Sequence, residues 1–380
     1  MSIKINILIN ALGIVDSGGI SVLDKLLQEC TTSDLVKYYV VCNRNSNIDK
    51  LIRKFHAFKN FEFKIVSNRG FFYRIFYENI VFRRYIKNNI DLIYNFSGSY
   101  QPWIKRPQIV KIHNLIFYSK VLDKTYKGKG RYISWIKEVY LKRIFFKLSL
   151  KNAKYIEIQS NHVKDHISNF INIKSKFFYV KSDINVSNNE FHISKQYDFS
   201  KKINFLYIVG PHFEYLHKNL LDFTNAMLEL NKKKVDFEIN ITLTNEQLSN
   251  SKVWNMSLNS KTNFLGYISD QEEMKELFYD NTILISTSVV ETLGLHVIEG
   301  IKNGVITIAP DEEYANAVYG KNRLKYSLFD NNSLLNTINS VIDYGESFDK
   351  KILSQQCYLK INEGNKFKNI NDVFNEVLNV

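Results

Sequence analysis

Two glutamates eight positions apart, Glu291 and Glu299, flank the turn Thr292-Leu293-Gly294-Leu295 inside STSVVETLGLHVIEGIKNGVITIAP, residues 286–310. The segment reads as the end of a buried strand, a short loop, a helix and a second strand, in otherwise apolar surroundings. A helix beginning near Leu293 or Gly294 turns unsatisfied N–H groups and a partial positive charge outward, which suits a diphosphate. An acid in the path of that anion would repel it, so Glu291, ahead of the helix, is expected to accept hydrogen bonds from neutral hydroxyls such as those of a sugar. Glu299, deeper in the helix, is placed to grip two vicinal hydroxyls such as those of a ribose, while Leu295, Val297, Ile298 and Ile301 pack the helix on its sheet. A nucleotide diphosphate sugar satisfies both carboxylates together. The spacing alone carries little: Glu238 and Glu246 are also eight apart, in an ordinary strand and loop. A helix-start acid favoured by the dipole and a partly exposed helical acid would give the same pair. The order strand, Glu, Gly, Glu, then Gly304 and another strand is what singles this segment out.

Other turns that follow strands carry supporting residues. In INFLYIVGPHFEYLHKNLLDF, residues 203–223, a strand ends near Gly210 and Lys218-Asn219 opens a helix, so Lys218 can reach a phosphate group. In TNFLGYISDQEEMKELFYDNTILISTS, Gly266 follows a strand, and the backbone of Tyr267 and Ile268 is expected to edge a planar ring. In NALGIVDSGGISVL, Gly18 and Gly19 stand just before a helix. That turn matches neither GxGxxG nor a P-loop, yet two residues without Cβ atoms let a ligand approach the backbone and leave N–H groups free for an anion.

The elements that must position these residues follow from the alternation of short β-branched or aromatic runs with longer amphipathic segments, the signature of parallel α/β units. Strands are expected at 3–10, 37–43, 62–66, 91–95, 108–112 and 154–159, then at 203–209, 236–243, 262–265, 281–286 and 305–309. The polar, Asn- and Ser-rich stretch 181–202 between the two sets lacks a clear period and reads as a linker. The fold class is therefore α/β, two Rossmann-like domains with parallel sheets facing a cleft. Residues 1–190 form the first domain, 200–360 the second, which carries the nucleotide-sugar turns, and 361–380 a helix that packs back towards the first. In open α/β sheets ligands sit at the carboxyl ends of strands, where all the turns named above lie.

A chain of 380 residues with 45% hydrophobic content can bury two cores. Its three cysteines, Cys30, Cys42 and Cys357, are far apart and contain no CxxC pair, which suggests neither a disulfide framework nor a zinc cluster and fits a reducing cytoplasm. Asn6 and Asn10 interrupt the apolar run after Lys4, so the start reads as a first strand rather than a secretory signal, and no run of eighteen apolar residues suggests a membrane span. The net charge of +13 is unevenly spread. Residues 1–200 hold 33 Lys/Arg and 15 Asp/Glu, a net of +18, and the remainder 18 and 23, a net of −5. In the basic half, 68–89 interleaves Arg69, Arg74, Arg83, Arg84 and Lys87 with Phe and Tyr, and 124–155 repeats the pattern. Such helices can lie on anionic membranes; the plain reading puts aromatics on the core side and cations in water. No helix-turn-helix, zinc-finger or RNP signature accompanies the charge, so nucleic acid is not the expected partner.

The segment from Tyr207 to Pro310 resembles the nucleotide-binding half of the retaining glycosyltransferases of family 4 (glycosyl transferases group 1), which have the GT-B fold. HKNL, FLGYISDQEEMKELFYDNTILISTS and ETLGLHVIEGIKNG carry the resemblance, the last matching that family's E-x7-E motif. SGGISVLDKLL and KIHNLIFY match more loosely in the first half. The resemblance implies that Glu291 contacts donor-sugar hydroxyls, Glu299 holds the ribose, Thr292 to Leu295 offer backbone donors, and Lys218 neutralises the departing phosphate. It further implies that Gly18 and Gly19 close on the donor and that His113 touches the donor sugar near the reacting carbon; a structural histidine is the alternative reading of His113. The family often has an arginine shortly after the strand ending at Gly210; here GPHFEY offers His212 instead. The usual interdomain Pro-Asn-Gly turn is missing near KSDINVS. The implied activity is retaining, metal-independent transfer from a UDP-sugar or GDP-sugar, without a cofactor, to a lipid-linked saccharide at the inner face of a bacterial membrane, as in O-antigen, lipopolysaccharide or capsule assembly. A GT-B-type nucleotide-sugar epimerase and a non-catalytic basic membrane- or nucleic-acid-binding module are the alternatives.

Overall fold

The computed structural model describes residues 5–379 except 15–16, 34, 68–69, 87–89, 169–170, 172–173, 181–194, 269–270, 331, 345–347, 364–366 and 368. The chain forms two compact units that are not contiguous in sequence. The first comprises residues 1–119, 131–183 and 365–380, and the second residues 120–130 and 184–364.

The first unit is built on seven parallel strands, β1 (Ile5–Ala11), β2 (Val36–Asn43), β3 (Phe61–Val66), β4 (Leu92–Asn95), β5 (Gln108–Lys111), β6 (Tyr155–Ile158) and β7 (Lys176–Tyr179), in the order β3-β2-β1-β4-β5-β6-β7. Strands covered on both faces need near-continuous apolar sequence, and β1 supplies it: Ile7, Leu8 and Ile9 are wholly buried. The buried charges of this unit are paired. Lys111 meets Glu157 at 3.0 Å, and the Tyr94 hydroxyl donates to Glu157 at 2.5 Å. The helix Ile370–Leu378 closes the unit. Phe374 sits edge-on to Tyr94, the Asn371 side chain donates to the Glu29 carbonyl, and its oxygen accepts from Tyr38.

The second unit holds six parallel strands, β8 (Ile203–Tyr207), β9 (Phe237–Ile241), β10 (Thr262–Phe264), β11 (Thr282–Ile285), β12 (Ile306–Pro310) and β13 (Leu324–Tyr326), in the order β10-β9-β8-β11-β12-β13. Phe205, Ile239, Ile283 and Ile306 fill the core on one face of this sheet. Of the stretch expected to be a linker, 181–194 lies outside the described residues, and 195–202 is fastened to this unit. The Tyr197 hydroxyl donates to the Thr282 carbonyl and accepts from the Ile306 N–H.

Three expectations are corrected. Gly18 and Gly19 do not precede their helix but lie in the first turn of the helix Ser17–Cys30. Strands β7 and β13 escaped the sequence reading, because both are short edge strands with a lysine in four and three residues. In the basic aromatic segments, not every cation is in water. Arg74 pairs with fully buried Glu78 at 2.8 Å, and buried Arg143 donates to the carbonyls of Phe117 and Ser119. Several apolar residues take the exposed positions instead, Phe72 and Ile133 among them. Arg69 and Lys87 lie outside the described residues, as do the side chains of Arg84 and Tyr85.

Candidate active site in the second unit

Because every strand of the second sheet is parallel, the turns after β8, β10 and β11 emerge at one edge. The turn after β11 runs from Ser286 to Gly294, and the helix begins at Leu295 and ends at Lys302. Its start is set by Gly294, which adopts φ 60°, ψ 62°. A Cβ there would also lie 1.9 Å from the Tyr319 hydroxyl, so conformation and space both call for glycine. Among the described residues, nothing accepts from the backbone N–H of Gly294, Leu295 or His296. These are the unsatisfied donors of a helix start, of the kind that suits an anion.

Tyrosine hydroxyls prop the turn from below. Tyr319 donates to the Leu293 carbonyl at 2.8 Å, Tyr314 to that of Ser288 at 2.6 Å, and Tyr207 shares a 2.6 Å hydrogen bond with the Thr287 hydroxyl. The Thr287 hydroxyl in turn donates to the Lys218 carbonyl at 2.7 Å, and the Val289 N–H to that of His217 at 2.8 Å. These bonds tie the turn after β11 to the turn after β8, so the peptide groups of the turn are held in place. Gly294→Ala is therefore expected to destabilise the second unit by about 2–4 kcal/mol, combining the left-handed backbone cost with overpacking. Calorimetry should show a lowered Tm with loss of nucleotide binding.

The Lys218 ammonium meets the Glu291 carboxylate at 2.6 Å. Burial would raise the Glu291 carboxyl, but the Lys218 charge and hydrogen bond outweigh it, helped by His296 and by a bond from Ser288, and hold it at about 2. One of three ammonium protons serves this pair, and the others can meet a phosphate. The two imidazoles beside the pair are neutral above pH 5. Burial lowers His296 to about 4, with Glu291 opposing and Lys218 assisting, and it lowers His217 to about 3, again assisted by Lys218. His296 Nε2 lies 3.1 Å from the Ser286 hydroxyl. Glu299, on the same helix, is partly buried, and no described residue hydrogen-bonds its carboxylate. Burial raises it to about 7, offset only in part by Lys302.

The second unit thus brings Lys218, Glu291, Thr292, Gly294, Leu295 and Glu299 to one edge. The Leu293 side chain is buried against Val297 and Tyr319, leaving only its peptide for a ligand. His212 is exposed and stacked on Tyr215 at 5.0 Å in the turn after β8. Tyr267 and Ile268 follow Gly266, at φ +67°, in the turn after β10, with Tyr267 half exposed. Gly18, Gly19 and His113 belong to the first unit. Gly18 has open space where a Cβ would be, and Gly19 lies against Ile14. His113 packs edge-on to Phe96 at 4.4 Å, and burial, then the Lys111 charge, push its pKa well below the ordinary value. It is a neutral imidazole. Sequence reasoning missed His296 and the supporting tyrosines. His296 was legible as a polar residue in the first turn of the helix. Tyr314 and Tyr319 were not, because only the fold carries them under a turn 25 residues upstream in the chain.

Two all-parallel α/β units, the second with a helix that starts at Gly294 between two acids, are the architecture of the GT-B class of fold. Residues 190–351 match the family model of glycosyl transferases group 1, so this part of the chain is similar to that family. Solved structures match over nearly the whole length. Sucrose-phosphate synthase from Thermosynechococcus elongatus superposes with a TM-score of 0.67 at 12% identity, covering 99% of this chain and 100% of its own. WaaG, a glycosyltransferase involved in lipopolysaccharide biosynthesis, superposes at 0.63 and 11%, covering 94% and 95%. Anabaena HepE in complex with UDP superposes at 0.60 and 13%, covering 99% and 100%. A sequence search of curated proteins finds no match.

Proposed function

We propose that the protein is a retaining glycosyltransferase that transfers a sugar from a UDP-sugar or GDP-sugar without a metal ion. The observation that carries this reading is the Lys218–Glu291 pair beside the free N–H groups of Gly294, Leu295 and His296, with Glu299 on the same helix. The N–H groups and Lys218 take the diphosphate, Glu299 accepts from the ribose hydroxyls, and Glu291, kept ionised by Lys218, accepts from the sugar. The UDP held by HepE and the family match support the same donor class.

As the bond from the anomeric carbon to the phosphate oxygen breaks, negative charge grows on the diphosphate. Donors fixed in advance stabilise that charge without reorganising, and they supply the positive charge that a metal would otherwise bring. The acceptor oxygen attacks from the face the diphosphate leaves, and its proton passes to a phosphate oxygen. A lipid-linked saccharide of the bacterial envelope, met at the cytoplasmic membrane surface, is the acceptor that the basic first half and the likeness to WaaG favour.

A thermal-shift screen against UDP, GDP, UDP-sugars and GDP-sugars tests the donor class. A ligand at a hundred times its Kd stabilises by about 2.7 kcal/mol, a rise in Tm that is easily measured. No rise with any of them would refute the assignment, and conversion of the donor sugar without an acceptor would make the site an epimerase.

A further inference from the structure

The exposed apolar residues of the first unit are not scattered. On the helical stretch 71–85, Phe72, Phe76 and Ile80 are 78%, 51% and 48% exposed. Their four-residue spacing puts them on one side. On the stretch 132–150, Ile133, Ile136, Tyr140, Ile144 and Leu148 are exposed along one stripe, while Val139, Phe146 and Leu150 face the core. Each stretch contains a π-helical segment, Tyr77–Val81 and Ile136–Tyr140. The two are neighbours: Phe71, beside Phe72, packs on Phe145 at 5.3 Å and on Phe146 at 6.2 Å. Exposed apolar residues aligned on two neighbouring helical stretches point to an interaction surface.

The charge beside it has one sign. In 71–86 the single acid, Glu78, is buried under Arg74. In 131–151 six cations accompany one acid, Glu138, and of those cations only Arg143 is buried. At the end of the first stripe Arg83 lines a pocket of about 150 Å³ with Ile86, Trp103, Ile104, Lys105 and Arg106. Trp103 is 68% exposed. Among the described residues, Arg83, Lys105 and Arg106 have no ion pair or hydrogen-bond partner. Three uncompensated cations around one hollow repel one another unless an anion sits between them. The pocket lies between the end of one helix and the approach to β5, at the amino edge of the sheet, away from the carboxyl edge where donor chemistry belongs.

We infer that the 72–80 and 133–148 stripes form a face that docks on an anionic phospholipid bilayer, with the Arg83–Trp103–Arg106 pocket receiving a phosphate headgroup. Apolar stripes bordered by lysine and arginine, with an indole at the boundary, are what a helix lying in a membrane interface requires. Each cation near such a surface contributes about fivefold to binding. The inference gives the proposed acceptor reaction its place, yet uses none of the donor-site residues, so the two can fail separately.

The test is co-sedimentation of the full chain with phosphatidylcholine vesicles, with and without phosphatidylglycerol. Binding is expected only with phosphatidylglycerol, weakening as salt rises, and Trp103 emission should shift to the blue, a shift absent in Trp103→Phe. Ile133→Ser with Leu148→Ser, both at exposed positions, and Arg83→Ala with Arg106→Ala should each lower vesicle affinity at least tenfold. All four substitutions should leave the thermal shift by UDP-sugar or GDP-sugar intact. Equal binding to both vesicle types, or variants that bind as the native chain does, would overturn the inference. So would a dimer, seen by ultracentrifugation, that the Ile133→Ser and Leu148→Ser pair dissolves, since the face would then join two copies. Inorganic phosphate that shifts Trp103 emission without vesicles, while vesicles do not, would assign the pocket to a free anion instead.

Discussion

Replacing Lys218 by methionine is expected to slow donor turnover by about 10²- to 10³-fold, the usual cost of removing one fixed donor from a developing oxyanion. The variant should also bind UDP little better than UMP, because the second phosphate loses its cation. A second effect separates this from general damage. Lys218 keeps the Glu291 carboxyl at about 2 against burial, so without it that carboxyl rises towards and beyond its ordinary 4.5. In the native chain a depressed carboxyl contributes stability above pH 4.5 that is lost as pH falls towards 2. Lys218→Met should abolish that loss on the acid side and, with the carboxyl raised above 4.5, make stability fall as pH rises instead, and Glu291→Gln should remove both slopes. Release of nucleoside diphosphate from the donor and acid unfolding followed by fluorescence measure the two effects.

Glu299→Gln is expected to weaken nucleotide-sugar binding by about 10- to 100-fold, the worth of hydrogen bonds to a charged acceptor. In the native chain burial raises the Glu299 carboxyl to about 7, and ribose hydroxyls donating to the ionised form would lower it in the complex. Binding should therefore release up to one proton, and affinity should climb with pH to about 7 and then level. A UDP-sugar or GDP-sugar is the right probe, because its diesterified diphosphate does not titrate near neutrality. His217 and His296, lowered to about 3 and about 4, are already neutral there. Calorimetry in buffers of different ionisation enthalpy reads the proton directly, and Glu299→Gln should abolish it. The raised pKa also means that stability of the free protein falls as pH rises from 4.5 through 7, and the same variant should flatten that slope.

What the sequence disclosed follows from how local each signal is. Strands β1, β8 and β11 announced themselves as apolar runs bounded by turns, because strands covered on both faces tolerate little else. The helix start at Gly294 was legible from the chain, since the glycine, the acid before it and the apolar period after it are neighbours. The bond between Lys218 and Glu291 was not, because it joins residues 73 apart. Each was read with its own ligand group, whereas the fold pairs them, so that Lys218 both keeps Glu291 ionised and stands ready for phosphate. Arg74 and Arg143 mislead for a related reason. A cation in a basic aromatic helix reads as surface, but Glu78 and the carbonyls of Phe117 and Ser119 are waiting inside. The exposed sides of Phe72 and Ile133 are the counterpart, since periodicity gives a helix two faces without saying which is covered.

A crystal structure of the protein with UDP-sugar or GDP-sugar tests the central claim most directly. The account requires pyrophosphate density within hydrogen-bonding distance of the Gly294, Leu295 and His296 N–H groups and of the Lys218 ammonium, with the ribose hydroxyls on Glu299. A nucleotide bound elsewhere in the chain, or one whose ribose leaves Glu299 untouched, would contradict it.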